Sequence, residues 1–408
     1  MSCSYVARVF VIVTLFACQT NQSGHLAAVK SGSGVPPAVR GSPVDALRAS
    51  CGDGALLDAG TRMLMRQPYL QQITTTSAMF GWVSTAAEEL RVDVTTPDRQ
   101  IVATATAVPQ VGSLRPPGEY QMWATATGLG PDAIYCYTLW SGAEQLTAST
   151  GFRTAPAADS AAPVRFLAFG DSGGGGADQY ALRDQMYTVP YDLMVHTGDL
   201  AYDNGTIAQL DDNVFGVYAD LLRNLGLFPS AGNHEYDTMR GAPFREVFAL
   251  PEVGGEKWYS FDWGRAHFAA LDTEADYATQ AAWLDRDLAA TAAGWKIVYL
   301  HKPPYSSGTH GSDTALRSVL APVLERHQVQ LVLAGHDHDY ERITPQGGVT
   351  YVVTGGGGIG TRSVGSSSFT AFSEDVIHFV YGEIGSDELI LHAIDGTGSE
   401  FDSVAIPR

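Results

Sequence analysis

Apolar, strand-like runs that end on metal-capable side chains are the feature that most constrains the fold of this chain. The clearest run is Leu331–Ala334, which Gly335 ends before two histidines follow, His336 and His338. Four earlier apolar runs end in the same way, on Asp171, Asp199, Asn233 and His301. Ligands of open α/β sheets bind beyond the carboxyl ends of the strands, so we expect these five endings to converge on one site.

The donors at these strand ends are suited to metal ions. They comprise two carboxylates, one amide oxygen and three imidazoles. Imidazole is the commonest metal ligand in proteins, and carboxylates bind hard cations. A single ion would not need six ligands of this mix, whereas two neighbouring ions would, particularly if one carboxylate bridged them. Asp199 is the natural bridge, because it lies in the chain between the two flanking groups of ligands.

The segments that carry these donors occur in a distinctive order. They are Gly170-Asp171, Gly198-Asp199-Leu200-Ala201-Tyr202, Gly232-Asn233-His234-Glu235, His301 and Gly335-His336-Asp337-His338. In this order they resemble the five motifs of the calcineurin-like metallophosphoesterases. Tyr202 narrows the resemblance to the purple acid phosphatases, and the similarity runs from about Gln67 to the C-terminus. The implied fold is an α/β (α+β) four-layer metallophosphoesterase β-sandwich flanked by helices.

The resemblance also implies a role for each ligand. The first metal would be held by Asp171, Asp199, Tyr202 and His338. The second would be held by Asp199, Asn233, His301 and His336. A phenolate at Tyr202 suits Fe(III), and the second ion would be Fe(II), Zn or Mn, which these ligand types do not distinguish.

Two further histidines are implied to act on the substrate. His234 and His310 are assigned to phosphate binding and acid catalysis, without deciding which of them donates the proton. Plant-type members of the family carry a second histidine after the His310 position, where this chain has Gly311.

The implied activity is that of an acid phosphatase. A metal-activated hydroxide would attack a phosphate monoester, with an acidic optimum. A phosphodiesterase or nucleotide phosphatase on the same site is the nearest alternative, and a non-catalytic adhesion or carbohydrate-binding lipoprotein is a third. The net charge of −19 argues against a nucleic-acid scaffold, so the expected partner is a small phosphate ester. The sequence leaves the oligomeric state open.

The N-terminal segment predicts export. Residues 1–18 read as a signal peptide, because the apolar run Val9–Ala17 is too short to span a bilayer. The residues before Cys18 resemble a bacterial lipoprotein cleavage box, which predicts a lipid anchor on Cys18 and a periplasmic or outer-membrane location. An ordinary cleavable signal, with secretion, stays open. Residues 19–62 are rich in Gly, Ser, Ala and Pro and predict a tether.

The rest of the chain divides into two domains. Residues 63–156 carry short β-rich runs with turn residues between them, which predict an all-β sandwich. It resembles the fibronectin type III-like N-terminal domain of the plant-type enzymes, with a tyrosine corner at Tyr135. A disulfide between Cys51 and Cys136 and two unpaired thiols both stay open. Residues 160–408 are the expected metallophosphoesterase catalytic domain.

Two glycine-rich runs have some of the features of nucleotide-binding motifs. The run 173–176 lacks the Lys and Ser/Thr of a P-loop, and no helix pattern follows the run 355–360. We expect both runs to let the backbone approach the metal centre closely.

Overall fold

The computed structural model describes residues 35–251, 255 and 257–408. The predicted signal peptide, Cys18 and the first part of the predicted tether lie outside these residues. Within the described part of the chain, no helix combines the length and apolar character needed to cross a lipid bilayer.

The N-terminal half is built from nine strands. They are β1 (Leu64–Gln71), β2 (Ser77–Ser84), β3 (Leu90–Thr95), β4 (Ile101–Thr106), β5 (Val108–Pro109), β6 (Tyr120–Thr127), β7 (Ile134–Ser141), β8 (Glu144–Gln145) and β9 (Thr150–Arg153). One face of this region is the sheet β1-β2-β6-β5, and the other is the sheet β4-β3-β7-β8, with β9 beside β7. The predicted all-β sandwich therefore takes the form of two sheets packed face to face.

The C-terminal half adds thirteen strands to the described fold. They are β10 (Val164–Phe169), β11 (Leu193–His196), β12 (Gly226–Pro229), β13 (Tyr259–Trp263), β14 (Ala266–Ala270), β15 (Trp295–Leu300), β16 (Leu331–Ala334), β17 (Tyr340–Ile343), β18 (Thr350–Thr354), β19 (Thr370–Glu374), β20 (His378–Ile384), β21 (Glu388–Asp395) and β22 (Glu400–Pro407).

The helices of the described fold are mostly short. They are α1 (Asp45–Cys51), α2 (Asp58–Met63), α3 (Ala177–Met186), α4 (Ile207–Leu210), α5 (Ala219–Leu222), α6 (Asn233–Asp237), α7 (Ala242–Val247), α8 (Tyr277–Ala290) and α9 (Thr314–Arg326), with a π-helical turn at Asp211–Gly216 and a 3₁₀ turn at Met239–Gly241. Asp276 and Asp313 begin α8 and α9 by accepting backbone N–H bonds from Thr279 and Leu316. These N-caps explain why both helices begin at these residues.

Two large sheets contain all the strands of the C-terminal half. The first has the order β22-β21-β20-β10-β11-β12-β1-β2-β6-β5, and the second has the order β13-β14-β15-β16-β18-β17-β19. Strands β10, β11 and β12 are parallel neighbours in the first sheet, and β15 and β16 are parallel neighbours in the second. These are the strands that precede the predicted ligands, so their carboxyl ends lie together.

Aromatic side chains join the two sheets. Phe228 stacks on Phe261 with ring centroids 3.9 Å apart, and Phe166 meets Phe268 edge-on at 5.7 Å. On the outer face of the second sheet, α8 and α9 contribute to a separate apolar cluster that includes Leu284 and Leu324. Burial of these faces holds the strand ends in fixed positions, since it stabilises the fold by about 25 cal/mol per Å² of apolar surface removed from water.

The N-terminal sandwich is not a separate module. Its strand β1 pairs in parallel with β12, at Leu70 and Gly226, so one sheet runs through both halves of the chain. Tyr137 donates its hydroxyl proton to the carbonyl of Arg223 at 2.8 Å. Tyr135 accepts a hydrogen bond from the backbone N–H of Gly130 at 2.8 Å, which is the contact of a tyrosine corner.

The expected tether needs correction within the described residues. Residues 45–51 and 58–63 are helical, and Val44 and Leu47 are buried in the main apolar core. A disulfide joins Cys51 at the end of α1 to Cys136 on β7, with 5.2 Å between their Cα atoms. Residues 35–62 are thus fixed to the sandwich by burial and by a covalent bond.

Candidate metal centre

The predicted ligands gather where the parallel strands end. Asp171 follows β10, Asp199 follows β11 and His336 follows β16, and all three have a left-handed backbone, with φ values of 56°, 55° and 72°. For residues other than glycine this conformation costs about 1–3 kcal/mol, and it persists only where the surroundings enforce it. Each strand is therefore bent sharply at its ligand, which directs the side chain across the sheet edge.

Glycines beside the ligands make this close approach possible. A side chain on Gly335 would collide with the carboxylate of Asp171, and one on Gly232 would collide with Asp199. In the run 355–360, the N–H of Gly357 donates to the carbonyl of Gly170 at 2.9 Å. The glycine-rich runs thus allow the backbone to pack closely against the ligand loops, as the sequence predicted.

One group of donors surrounds the hydroxyl of Tyr202. This oxygen lies 3.1 Å from Oδ1 of Asp171, 3.0 Å from Oδ2 of Asp199 and 3.3 Å from Nε2 of His338. Nε2 of His338 lies 3.5 Å from Oδ1 of Asp171. These four residues are the predicted ligands of the first metal, and the fold brings all of them together.

A second group of donors surrounds Nε2 of His301. This nitrogen lies 3.3 Å from Oδ2 of Asp199, 3.1 Å from Oδ1 of Asn233 and 3.1 Å from Nδ1 of His336. The nitrogen on the other side of the His301 ring, Nδ1, lies 3.0 Å from the carbonyl of Thr197. A carbonyl can only accept, so Nδ1 carries a proton and Nε2 is the ring nitrogen that points into the group.

The two groups share one atom. Oδ2 of Asp199 lies 3.0 Å from the Tyr202 hydroxyl in the first group and 3.3 Å from Nε2 of His301 in the second. Its partner oxygen, Oδ1, accepts the backbone N–H of His234 at 3.0 Å. Asp199 therefore stands between the two groups, as expected of a bridging ligand.

The donors converge on places that suit a positive charge. Around Nε2 of His301 lie the oxygens of Asp199 and Asn233 and the ring nitrogen Nδ1 of His336. Asp199, His301 and His336 each place a ligand atom within 4.8 Å of the other two. Lone pairs that converge in a buried volume repel unless a positive charge lies between them, so the residues present suit bound metal ions.

The acid–base balance of the apoprotein also favours positive charge. Burial raises the pKa of Asp171 well above its usual value; the charge of His301 opposes this shift, and that of Asp199 adds to it. Burial and the charges of Asp171 and Asp199 raise the pKa of Tyr202. Burial lowers the pKa of His301, but the charge of Asp199, the hydrogen bond to it and the charge of Asp171 together raise this pKa to about 10. These groups cannot all ionise together without a compensating cation.

The two predicted substrate histidines lie beside the ligands. His234 stands at the first group, with its ring 4.3 Å from that of Tyr202 and its Nε2 3.8 Å from Oδ2 of Asp199. His310 stands at the second group, where its ring stacks on His336 with 4.1 Å between centroids. The two histidines thus flank the ligand groups on different sides.

Sequence reasoning missed the group that holds the Asp199 loop. The buried carboxylate of Glu235 accepts the backbone N–H groups of Gly232, Asp199, Leu200 and Ala201 at 2.8–3.1 Å. Burial raises the pKa of Glu235 to about 7, and the charge of Asp199 adds to this. The signal in the sequence is the position of Glu235, which directly follows Asn233 and His234 in the same motif.

Arg362 was also missed, because it lies beyond the ligand motifs. Its guanidinium Nη1 donates to Nε2 of His310. Other polar residues near the centre are part of the scaffold: His196 lies within hydrogen-bond distance of the Ser172 hydroxyl at 2.9 Å, and Tyr340 donates to Asp402 at 2.7 Å.

Comparison with known families decides the class of this centre. Residues 164–340, which include every predicted metal ligand, match the family model of the calcineurin-like phosphoesterases. This part of the chain is a calcineurin-like metallophosphoesterase domain. The relationship to the purple acid phosphatases implies a binuclear metal centre. The two donor groups that share Asp199 agree with such a centre.

Proteins named as acid phosphatases are among the relatives of this chain. Rat tartrate-resistant acid phosphatase type 5 is 33% identical over 139 residues, which cover 32% of this chain and 42% of that protein. Purple acid phosphatase 21 of Arabidopsis thaliana is 28% identical over 257 residues, covering 56% of each chain. The chain therefore spans about half the length of these curated relatives.

A solved structure supports the fold. The purple acid phosphatase from yellow lupin seeds superposes with a TM-score of 0.75, covering 84% of this chain and 74% of that one. At 22% sequence identity this similarity concerns the fold. The chain thus combines a mixed α/β metallophosphoesterase fold with sequence relatives among the acid phosphatases.

Proposed function

We propose that this chain is an exported binuclear-metal acid phosphatase that hydrolyses phosphate monoesters. The observation that carries the proposal is the sharing of Asp199 Oδ2 between two complete groups of donors, 3.0 Å from the Tyr202 hydroxyl and 3.3 Å from Nε2 of His301. Because some relatives are named as acid phosphatases, we propose a monoester and not a diester as the substrate of this chain.

Each residue of the centre has a part in this proposal. Asp171, Asp199, Tyr202 and His338 hold the first ion, proposed to be Fe(III) because a phenolate prefers a hard, highly charged cation. Asp199, Asn233, His301 and His336 hold the second, proposed to be Fe(II), Zn or Mn. When bound, such ions supply Lewis-acid stabilisation of phosphate oxygens and lower the pKa of water.

The chain's own groups would bind the substrate and move the proton. Nδ1 of His234 donates to the carbonyl of Asp203, which leaves Nε2 on the side of Asp199. His234 is therefore oriented to donate from Nε2 toward a phosphate or leaving-group oxygen when it is protonated. In this structure Nε2 of His310 accepts a hydrogen bond from Arg362, so that nitrogen is not a donor. We therefore assign proton donation to His234 and substrate contact to His310.

Export forms part of the proposal on two grounds. The apolar N-terminal run before Cys18 reads as a signal segment, and a lipid on Cys18 would anchor the enzyme at a membrane surface. The disulfide between Cys51 and Cys136 fits an oxidising compartment. Mass spectrometry of the protein from its native membrane fraction tests the anchor, since lipidation predicts a mature chain that begins at a modified Cys18.

A comparison of substrates tests the activity. The metal-loaded protein is assayed at about pH 5 with a chromogenic phosphate monoester and the corresponding diester, and its metals are counted on the same preparation. We expect two metals per chain, a tyrosinate-to-iron absorption band, and preferential hydrolysis of the monoester. Full metal content with no turnover of either ester would refute the proposal and favour a binding protein. Preference for the diester would favour the phosphodiesterase alternative.

A further inference from the structure

Arg362 stands at the edge of the metal centre, where the backbone fixes it. It follows the glycine-rich run 355–360, which is bonded to the first ligand loop through Ile359, whose N–H donates to the carbonyl of Asp171 at 3.2 Å. The N–H of Arg362 itself donates to the carbonyl of His338 at 2.9 Å. The base of this side chain is thus fastened to a ligand of the first group.

The guanidinium of Arg362 reaches toward the second group. Its Nη1 donates to Nε2 of His310, whose ring stacks on the ligand His336. The side chain is half-buried. From a backbone anchor at His338 to a contact beside His336, Arg362 therefore extends across the edge of both ligand groups.

Arg362 makes no close ion pair in the described structure, although from a longer distance its charge opposes the rise in the pKa of Asp339 that burial causes. Two other arginines have carboxylate partners: Arg115 pairs with Asp211 at 2.9 Å, and Arg342 pairs with Asp402 at 2.6 Å. Over residues 35–251, 255 and 257–408, no carboxylate oxygen lies within 4.0 Å of a guanidinium nitrogen of Arg362. One N–H is used on His310, and the remaining guanidinium donors stay available for an anion.

We propose that Arg362 binds the phosphate group of the substrate and thereby selects monoesters over diesters; this inference rests on the proposed function. A phosphate monoester has three non-bridging oxygens, whereas a diester has two. If two oxygens occupy the binuclear centre, only the monoester retains a further charged oxygen for a guanidinium. Arginine suits this task, because its planar fork of N–H donors matches phosphate oxygens.

The neighbouring residue supports this assignment. Gly311 follows His310 in the chain, and a Cβ added to Gly311 would meet no heavy atom within 4 Å. The space around Gly311 is therefore open, and Arg362 places a positive charge on the neighbouring His310.

Substitution of Arg362 tests the proposal on the metal-loaded protein. For Arg362→Gln we expect kcat/KM for a chromogenic monoester to fall about 10- to 100-fold, the range for a lost hydrogen bond to a charged group. Turnover of the matching diester should stay within about twofold of wild type, because no oxygen of the diester is left to contact Arg362. Arg362→Lys, which keeps the charge and loses the fork, should recover part of the loss.

Binding of inorganic phosphate gives a readout that does not depend on turnover. Calorimetric titration of the same holoproteins should show affinity for phosphate reduced by a similar factor in Arg362→Gln, and unchanged affinity for dimethyl phosphate. Arg326→Gln is the matched control, because Arg326 is an exposed arginine that pairs with Asp285 on α8, outside the metal centre. It should leave both affinities unchanged.

A double substitution separates direct contact from an effect through His310. If Arg362 only positions this histidine, Arg362→Gln will have no further effect on phosphate affinity in a His310→Gln background, and the proposal is overturned. Equal losses for monoester and diester would overturn it too. Should the wild type hydrolyse no ester yet bind phosphate through Arg362, the proposed function fails, whereas the anion contact stands.

Discussion

The N-terminal sandwich and the ends of strands β10 and β11 bury different kinds of side chain. Between the two sheets of the sandwich, around β2 and β7, the buried side chains are aromatic: Phe80, Tyr137 and Phe152 pack with ring centroids 4.7–6.1 Å apart. At the ends of β10 and β11 the buried side chains include Asp171 and Asp199, held in strained backbone conformations. One region adds stability through apolar burial, and the other supports polar groups that are costly to bury.

This contrast teaches how the ligand geometry is maintained. Three left-handed ligands, at about 1–3 kcal/mol each, persist because the strands that carry them are fixed by a larger packed structure. Substitutions in the two regions should therefore have separable effects, on metals and activity in one and on folding in the other.

The largest expected effect is the loss of the shared ligand. Asp199→Ala should remove both metals and lower kcat/KM about 1000-fold or more, beyond the loss from removing one stabilising donor. Metal analysis and steady-state kinetics on the purified variant check this. Asp93→Ala is the control, since Asp93 is a carboxylate on β3 that pairs with Arg91 at 3.3 Å, away from the metal centre. Retention of two metals in Asp199→Ala would contradict the bridge.

The next largest effect should distinguish the two metal sites from each other. His338 contacts the Tyr202 group and His336 contacts the His301 group, so each alanine variant should deplete a different ion first. Elemental analysis gives the ratio of the two metals, and the tyrosinate-to-iron band reports the first site separately. We expect the band to fade in His338→Ala and to survive in His336→Ala. Parallel loss of both ions in both variants would mean that the two sites bind metal as a unit.

A substitution in the aromatic region should lower the stability of the protein and leave its metal content and activity unchanged. Phe152 is fully buried, and truncation to alanine leaves a cavity that lowers the free energy of unfolding by about 3–5 kcal/mol. Denaturant unfolding of the metal-loaded protein measures this loss. At a temperature where the variant is folded, its metal content and kcat/KM should equal those of wild type. A change in metal stoichiometry without a change in stability would break the division of roles.

The smallest effect concerns a histidine of the second sheet that is not a ligand. Burial lowers the pKa of His267, but hydrogen bonds to Asp262 and Asp287 raise it to about 9, above the ordinary value of 6.5. Its stabilising effect is therefore full below pH 6.5 and is lost as the pH rises through 9. Replacing His267 with Gln should lower the free energy of unfolding by about 1–3 kcal/mol at pH 6, and by much less at pH 10. Equal losses at both pH values would point to packing alone.

Local sequence patterns predicted the elements whose ends are marked by local chemistry. Helices α8 and α9 begin after capping aspartates, and β16 spans the predicted apolar run Leu331–Ala334, which Gly335 ends. The gathering of the ligands followed from one rule, since parallel strands end at the same sheet edge.

Non-local contacts were beyond such patterns. The pattern of apolar and polar residues in β1 does not indicate that this strand pairs with β12, more than 150 residues later in the chain. Val44 and Leu47 are too sparse among small residues to predict that residues 35–62 are packed in place. The roles of Glu235 and Arg362 depend on which distant backbone or ring they contact, and that information exists only in three dimensions.

The pairing of β1 with β12 also bears on how such a chain can evolve. Because Leu70 and Gly226 lie side by side in one sheet, a recombination event between the two halves would leave an unpaired strand edge on each fragment. Exchange with an unrelated partner would then have to supply a strand of matching twist and register. Inheritance as one unit is the outcome that this junction favours.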